Sequence, residues 1–235
     1  MPFYGYYVDP TYILVIIGAV ICLIASARVK LTFRKYNRVR SMSGMTGAQA
    51  AERILNSAGI YDVRIEHVSG DLTDHYDPRN KVLRLSDSTY SSASVAAVGV
   101  AAHECGHAIQ HQKDYAPLSI RSAIVPVANF GSAAAWPLII IGMLFSSQTG
   151  MLLINIGILC FSLAVLFQIV TLPVEFNASR RAIRMLGDTG ILGAEELRST
   201  RKVLGAAALT YVAGAAAAVL QLVRLLLLSD SKSRN

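Results

Sequence analysis

His103-Glu104-Cys105-Gly106-His107 places two imidazoles and a carboxylate in the pattern H-E-x-x-H. On a helix, residues four apart lie on one face a turn from each other, so both rings can converge on one ion. Glu104 falls one residue beyond the first ring, about 100° around the helix, where it flanks such an ion without binding it. The chemistry this suits is amide hydrolysis. Zinc in such a site keeps one position for water and lowers its pKa to about 7, and the Glu accepts the water's proton during attack on a carbonyl. With five His and six Glu among 235 residues, composition alone would produce the pattern about 0.003 times. The bland alternative is a helix whose two histidines satisfy buried polar groups.

A catalytic zinc takes a third protein ligand. His111 continues the same helical face but lies another ~6 Å along the axis, too far to share the ion, and reads as outlying or surface. The longer spacing that swings a third histidine back is absent, since residue 113 is Lys. Glu175, in Leu172-Pro173-Val174-Glu175-Phe176, is the better candidate. A carboxylate directly after an apolar span is costly to keep there without a partner. An interfacial ion pair with Arg180 or Arg181 would also explain it.

These groups must be positioned by a fold. Residues 91–112 read as an Ala-rich helix capped by serines, and the apolar run 93–102 is too short to cross a bilayer, so the helix is expected to be buried. Thr46-Gly47-Ala48-Gln49 reads as a capping box opening a helix that Gly59 ends. Residues 61–67 and 81–86 alternate as half-buried strands, with Asp77-Pro78-Arg79-Asn80 turning into the second. Residues 82–85 are the expected sheet edge, able to hold an extended peptide by main-chain hydrogen bonds. Asp74, His75 and Asp77 are read either as cleft lining or as a solvated turn.

The chain is 53% hydrophobic, with a mean hydropathy of +0.45, above the usual range for a soluble domain. Four stretches, 12–27, 123–145, 151–172 and 203–228, approach or reach the ~20 apolar residues that cross a hydrocarbon core. The first is read as an anchor and not a cleaved signal, since Met1 to Thr11 holds no Lys or Arg. Arg28, Lys30, Arg34, Lys35, Arg38 and Arg40 follow it at once, and Arg180, Arg181, Arg184, Arg198, Arg201 and Lys202 follow the third. Basic residues beside a membrane stay cytoplasmic, so both segments are expected there, with the N-terminus outside. The formal charge of +7 is accounted for in this way, and the sparse aromatics among the basic residues argue against nucleic acid. Cys22, Cys105 and Cys160 suggest no disulfide framework. Gly205, Gly214 and the alanines at 215–218 suit close helix packing in lipid, and Arg224 is expected to snorkel to the interface.

Four blocks in order also carry a resemblance: Thr73-Asp74-His75-Tyr76-Asp77-Pro78, Ala101-Ala102-His103-Glu104-Cys105-Gly106-His107-Ala108, Leu172-Pro173-Val174-Glu175-Phe176-Asn177-Ala178-Ser179, and Ala207-Ala208-Leu209-Thr210-Tyr211-Val212-Ala213. Across nearly its whole length the chain resembles the YugP-type membrane neutral zinc metallopeptidases, which are distantly similar to HtpX-type proteases. The resemblance implies that Glu175 is the third zinc ligand, matching the Glu of the HtpX-type E-x-x-A-D pattern. Ser179 stands where that pattern has Asp, which leaves open whether Asn177 or Ser179 orients a ligand histidine.

The expectation is therefore an α-helical membrane protein with four transmembrane helices and a small α+β zincin-like cytoplasmic domain. Its parts are an anchor (1–27), a catalytic region (28–122), a transmembrane hairpin (123–172), a cytoplasmic helix bringing the third ligand (173–202), and a last transmembrane helix with its tail (203–235). The expected metal ligands are His103, His107 and Glu175, with Glu104 as the base. Zn2+ is the cofactor, peptides or membrane proteins are the substrates, and the lipid bilayer is the other partner. Two rivals are an intramembrane protease and a scaffold or regulatory subunit with a structural metal site. The first needs the motif inside a spanning helix. The second is usually closed by four ligands, where three are found.

Overall fold

The structure is a computed structural model that describes residues 9–145 and 148–233. The start of the Lys- and Arg-free leader, Ser146 and Ser147 of the expected turn, and the end of the tail lie outside those residues. In chain order the elements are α1 (Tyr12–Asn37), α2 (Gly47–Ser57), β1 (Arg64–Val68), β2 (His75–Asp77), β3 (Val82–Ser86), α3 (Asp87–Tyr90), α4 (Val95–Gln112), α5 (Ala116–Leu144), α6 (Gln148–Asp188) and α7 (Ala194–Ser233). They form two compact units. One comprises Ala25–Ser122 and Thr171–Thr210; the other comprises Met1–Ile24, Ala123–Val170 and Tyr211–Asn235.

The second unit holds the apolar stretches. Helices α1, α5, α6 and α7 are long and apolar enough to cross a membrane. Each outruns the apolar run that announced it, because hydropathy marks what lipid can cover whereas backbone hydrogen bonding continues until the chain offers a stop. Within this unit Leu23, Phe130, Leu144 and Leu159 point outward, as lipid-facing side chains do. Close packing is carried by Gly18 against Ala217, Gly131 against the Cys160 carbonyl and Gly157 against Ala135, while Gly205 and Gly214 meet little. Arg224 pairs with Asp9 at 3.7 Å and lies 4.1 Å over the Tyr12 ring, so the cation in this apolar helix has both an anionic and an aromatic partner.

The first unit holds the motif. Thr46 opens α2 with a complete capping box, its hydroxyl accepting from Gln49 N and the Gln49 side chain accepting from Thr46 N. Gly59, at φ +73°, ends the segment, where a side chain would be strained. The sheet has the order β1-β3-β2, with β1 parallel and β2 antiparallel to β3. Val82, Leu83 and Leu85 are fully buried, so the strand expected at the edge is the central one. An edge strand would leave a row of backbone groups in water, and this one is too apolar for that place. The antiparallel edge is β2, which had read as a polar turn because three residues are too few to show alternation.

Helix α4 is buried, as its short apolar run implied. Val95, Val98, Ala101, Ala102, Cys105 and Ile109 join Ile54 and Leu55 of α2, Leu83 and Leu85 of β3, and Ala182 and Leu186 of α6 in one core. Ser94 caps it by accepting from Ala97 N at 3.1 Å, and donates to Asn37 Oδ1 at 2.6 Å. Residues 173–202 are the end of α6 and the start of α7, not one helix. The break comes at Gly190, φ +65°, and Glu196 then caps α7 by accepting from Gly193 N.

Candidate metal centre

Helices α4 and α6 pass in tight contact at Gly106. A Cβ built there would stand 2.5 Å from the Ala178 carbonyl oxygen, an overlap that would push the two backbones apart. Gly106 lies between the two histidines in sequence, and Ala178 lies between Glu175 and Ser179. Crossing at these two small residues therefore turns the imidazoles toward the acidic turn of α6. The small residue within the motif was the available signal for this, and it was not singled out.

The structure brings together His103, His107 and Glu175, whose candidate ligand atoms all lie within 4.8 Å of one another. Glu175 Oε2 is 3.3 Å from His103 Nε2 and 3.6 Å from His107 Nε2. Ligands about 2.0–2.2 Å from a tetrahedral zinc stand about 3.4 Å apart, so these spacings are those of a zinc polyhedron's edges. Glu175 Oε2 is buried and has no hydrogen-bond partner, a costly state for a carboxylate oxygen that a cation relieves. The donor set of two imidazoles and one carboxylate fits zinc and leaves room for a fourth ligand.

Each imidazole is held by its second nitrogen. His103 Nδ1 is hydrogen-bonded to Ser179 Oγ at 3.1 Å, so the position where HtpX-type enzymes have Asp supplies a hydroxyl here. His107 Nδ1 is 3.0 Å from Gln110 Oε1. The Gln110 amide nitrogen donates to Val174 O at 2.8 Å and to Asn177 Oδ1 at 3.0 Å, and Arg181 Nε donates to the same Asn177 oxygen at 2.7 Å. With both amide hydrogens committed, Gln110 presents only its oxygen to His107. His107 must therefore donate from Nδ1 and keep the Nε2 lone pair toward Glu175 Oε2, the tautomer a metal requires. Burial disfavours a charged His107, but the nearby Glu175 carboxylate and the charge of Glu104 outweigh it and hold its pKa above the ordinary value.

Gln110, fully buried, was missed in the sequence; a buried amide one turn after the second histidine was the signal. Gln110→Leu should keep the helix but lower zinc affinity about 10–100-fold, the usual cost of losing a ligand's outer partner. Chelator competition on the purified protein measures it. An affinity within twofold of the parent would show that the amide does not set the His107 ring.

The partner of Glu175 is neither Arg180 nor Arg181. Arg121, in the second turn of α5, donates from Nη1 to Glu175 Oε1 at 3.0 Å. Nothing in the sequence near Arg121 announced this, because the contact spans 54 positions. Glu104 is 8% exposed and has no hydrogen-bond or ion-pair partner among the described residues.

The remaining polar residues have structural work. His111 pairs through Nδ1 with the Tyr76 hydroxyl at 2.9 Å and stands outside the ligand cluster. Burial and the charges of Asp62 and Asp77 push the Tyr76 hydroxyl up to about 12. Asp74 accepts from Ser86 N and Oγ. Asp77 closes the turn before β3, and the Asn80 side-chain and backbone donors hold its carboxyl at about 2. Cys105 packs in the core with its thiol aimed at the Ala51 carbonyl, and burial pushes that thiol up.

Paired histidines from one helical turn facing a buried carboxylate make a donor set that suits zinc, in a chain with four helices long and apolar enough to cross a membrane. The chain belongs to the family described as "Putative neutral zinc metallopeptidase", whose model matches residues 11–230. It is 48% identical over 204 residues to the "Putative membrane protease YugP" of Bacillus subtilis strain 168, covering 87% of this chain and 89% of that protein. No solved structure matches it. Zinc is the cofactor that the family and the site share.

Proposed function

We propose that the protein is a membrane zinc endopeptidase in which His103, His107 and Glu175 hold the metal and Glu104 is the general base. The observation that carries this reading is the clustering of three ligand atoms, with the outer atoms of all three residues held and the inner Glu175 oxygen left without a hydrogen bond. Bound zinc would supply Lewis acidity, making water a nucleophile near neutral pH. His107 presents its Nε2 lone pair because Gln110 Oε1 accepts from its Nδ1, and His103 does the same when its Nδ1 donates to Ser179 Oγ. Glu104 receives the proton released in the attack and passes it to the departing amine.

The fold is read as zincin-like, with an extended peptide adding to the free antiparallel edge of β2, which packs on α4 through Tyr76 and His111. The two basic segments put the site on the cytoplasmic side, with the N-terminus outside. Glu175 follows Val170, where the apolar unit's α6 portion ends, by little more than a helical turn in sequence, so the site is read as close to the bilayer. Substrates would be peptides or damaged membrane proteins.

The test is hydrolysis of an unfolded membrane protein by the purified chain in lipid nanodiscs. Cleavage should require zinc, stop with chelator and return on reloading. Stoichiometric zinc with no cleavage of any unfolded substrate would instead favour a structural metal site.

A further inference from the structure

Glu175 has two oxygens and the structure gives them different neighbours. Oε2 faces the two imidazole nitrogens at 3.3 and 3.6 Å and has no hydrogen-bond partner. Oε1 accepts from Arg121 Nη1 at 3.0 Å. The carboxylate is 3% exposed and the guanidinium 29% exposed, so this pair lies where water competes weakly and a charge-assisted bond is strong. A free carboxylate can close on zinc with both oxygens, taking the space a nucleophilic water would need.

Resting on the reading of Glu175 as a ligand, we propose that Arg121 is a positioning residue that confines Glu175 to binding zinc through Oε2 alone. Arg121 reaches Glu175 because the turn at Lys113 to Tyr115 reverses the chain after α4. Asp114 takes φ +46° there, and Tyr115 N donates to Gln110 O at 3.0 Å. The first two turns of α5 are thus tied to the same residue that orients His107. The carboxylate is fixed from outside the ligand set, as the imidazoles are by Gln110 and Ser179. Its positive partner also offsets the cost of holding an anion in a buried place before metal arrives.

The experiment uses the full-length protein with Arg121→Met, Arg121→Gln and Arg121→Lys, with helicity checked by circular dichroism. Zinc affinity is read by chelator competition and coordination by the visible spectrum of the cobalt-loaded protein. Met and Gln variants are expected to bind zinc 10–100-fold more weakly. Their cobalt spectra should move from four-coordinate intensity toward the weaker five-coordinate pattern as Oε1 turns to the metal. Lys, which restores a charged donor, should recover at least threefold of the lost affinity. If either neutral variant folds and keeps both an affinity within twofold of the parent and the parental spectrum, the proposal is overturned. These readouts need no catalysis: a parent that binds zinc but cleaves nothing sinks the peptidase reading alone, and a parent that takes up no zinc sinks both.

Discussion

Glu104→Gln should lower peptide cleavage about 10²–10⁴-fold, the typical contribution of a positioned general base, while leaving zinc content at the parental level. The two halves of that expectation come from different facts. Metal should stay because Glu104 is not among the clustered ligand atoms, which belong to His103, His107 and Glu175. The fold should stay because the replacement is nearly isosteric and Glu104 has no hydrogen-bond or ion-pair partner among the described residues to lose. What disappears is the carboxylate proposed to accept a proton from water and return it to the leaving amine. A quenched peptide assay with parallel metal analysis separates the outcomes. Cleavage at the parental rate would remove Glu104 from the mechanism. Loss of zinc together with activity would mean that Glu104 supports the metal, and the assigned division between base and ligands would be wrong.

The sequence was most legible where local rules decide the structure. The capping box at Thr46, the stop at Gly59, the buried character of α4 and the four long apolar helices all follow from patterns confined to one or two turns. It was least legible where distant segments meet. Strand order depends on which strand is most apolar on both faces, and Val82 to Leu85 carries that information, yet it was taken for an edge because it preceded the motif helix. The orienting residues were harder still. Gln110 and Arg121 look like ordinary polar positions until α6 is laid across Gly106, and only then does one face His107 and the other Glu175. Ser179 was flagged because a related pattern has Asp at its place. Its contact with His103 shows that the short hydroxyl suffices there, since Ser179 follows directly on Ala178, where the helices touch.

Glu175→Gln should weaken zinc binding by more than about 100-fold, exceeding the loss from an outer partner because a direct anionic ligand is removed. The argument is one of donors and acceptors. If the new amide keeps its oxygen toward Arg121, its nitrogen points at His103 and His107 and donates to the Nε2 lone pairs that the metal needs. If it flips, the amide nitrogen meets the guanidinium, donor against donor. Neither orientation offers an anionic oxygen to a cation. The fold should nevertheless survive, because the replacement is of equal size and its amide oxygen can still accept from Arg121, at the cost of a weaker bond than the charged pair made. Metal content after dialysis, together with the thermal unfolding midpoint of the metal-free protein, tests both halves. The variant should come out nearly free of zinc and still folded, with a midpoint at or somewhat below that of the metal-free parent. Full zinc occupancy in a properly folded Glu175→Gln protein would mean that the two histidines recruit their third ligand elsewhere, and the meeting of α4 and α6 at Gly106 would then need another purpose.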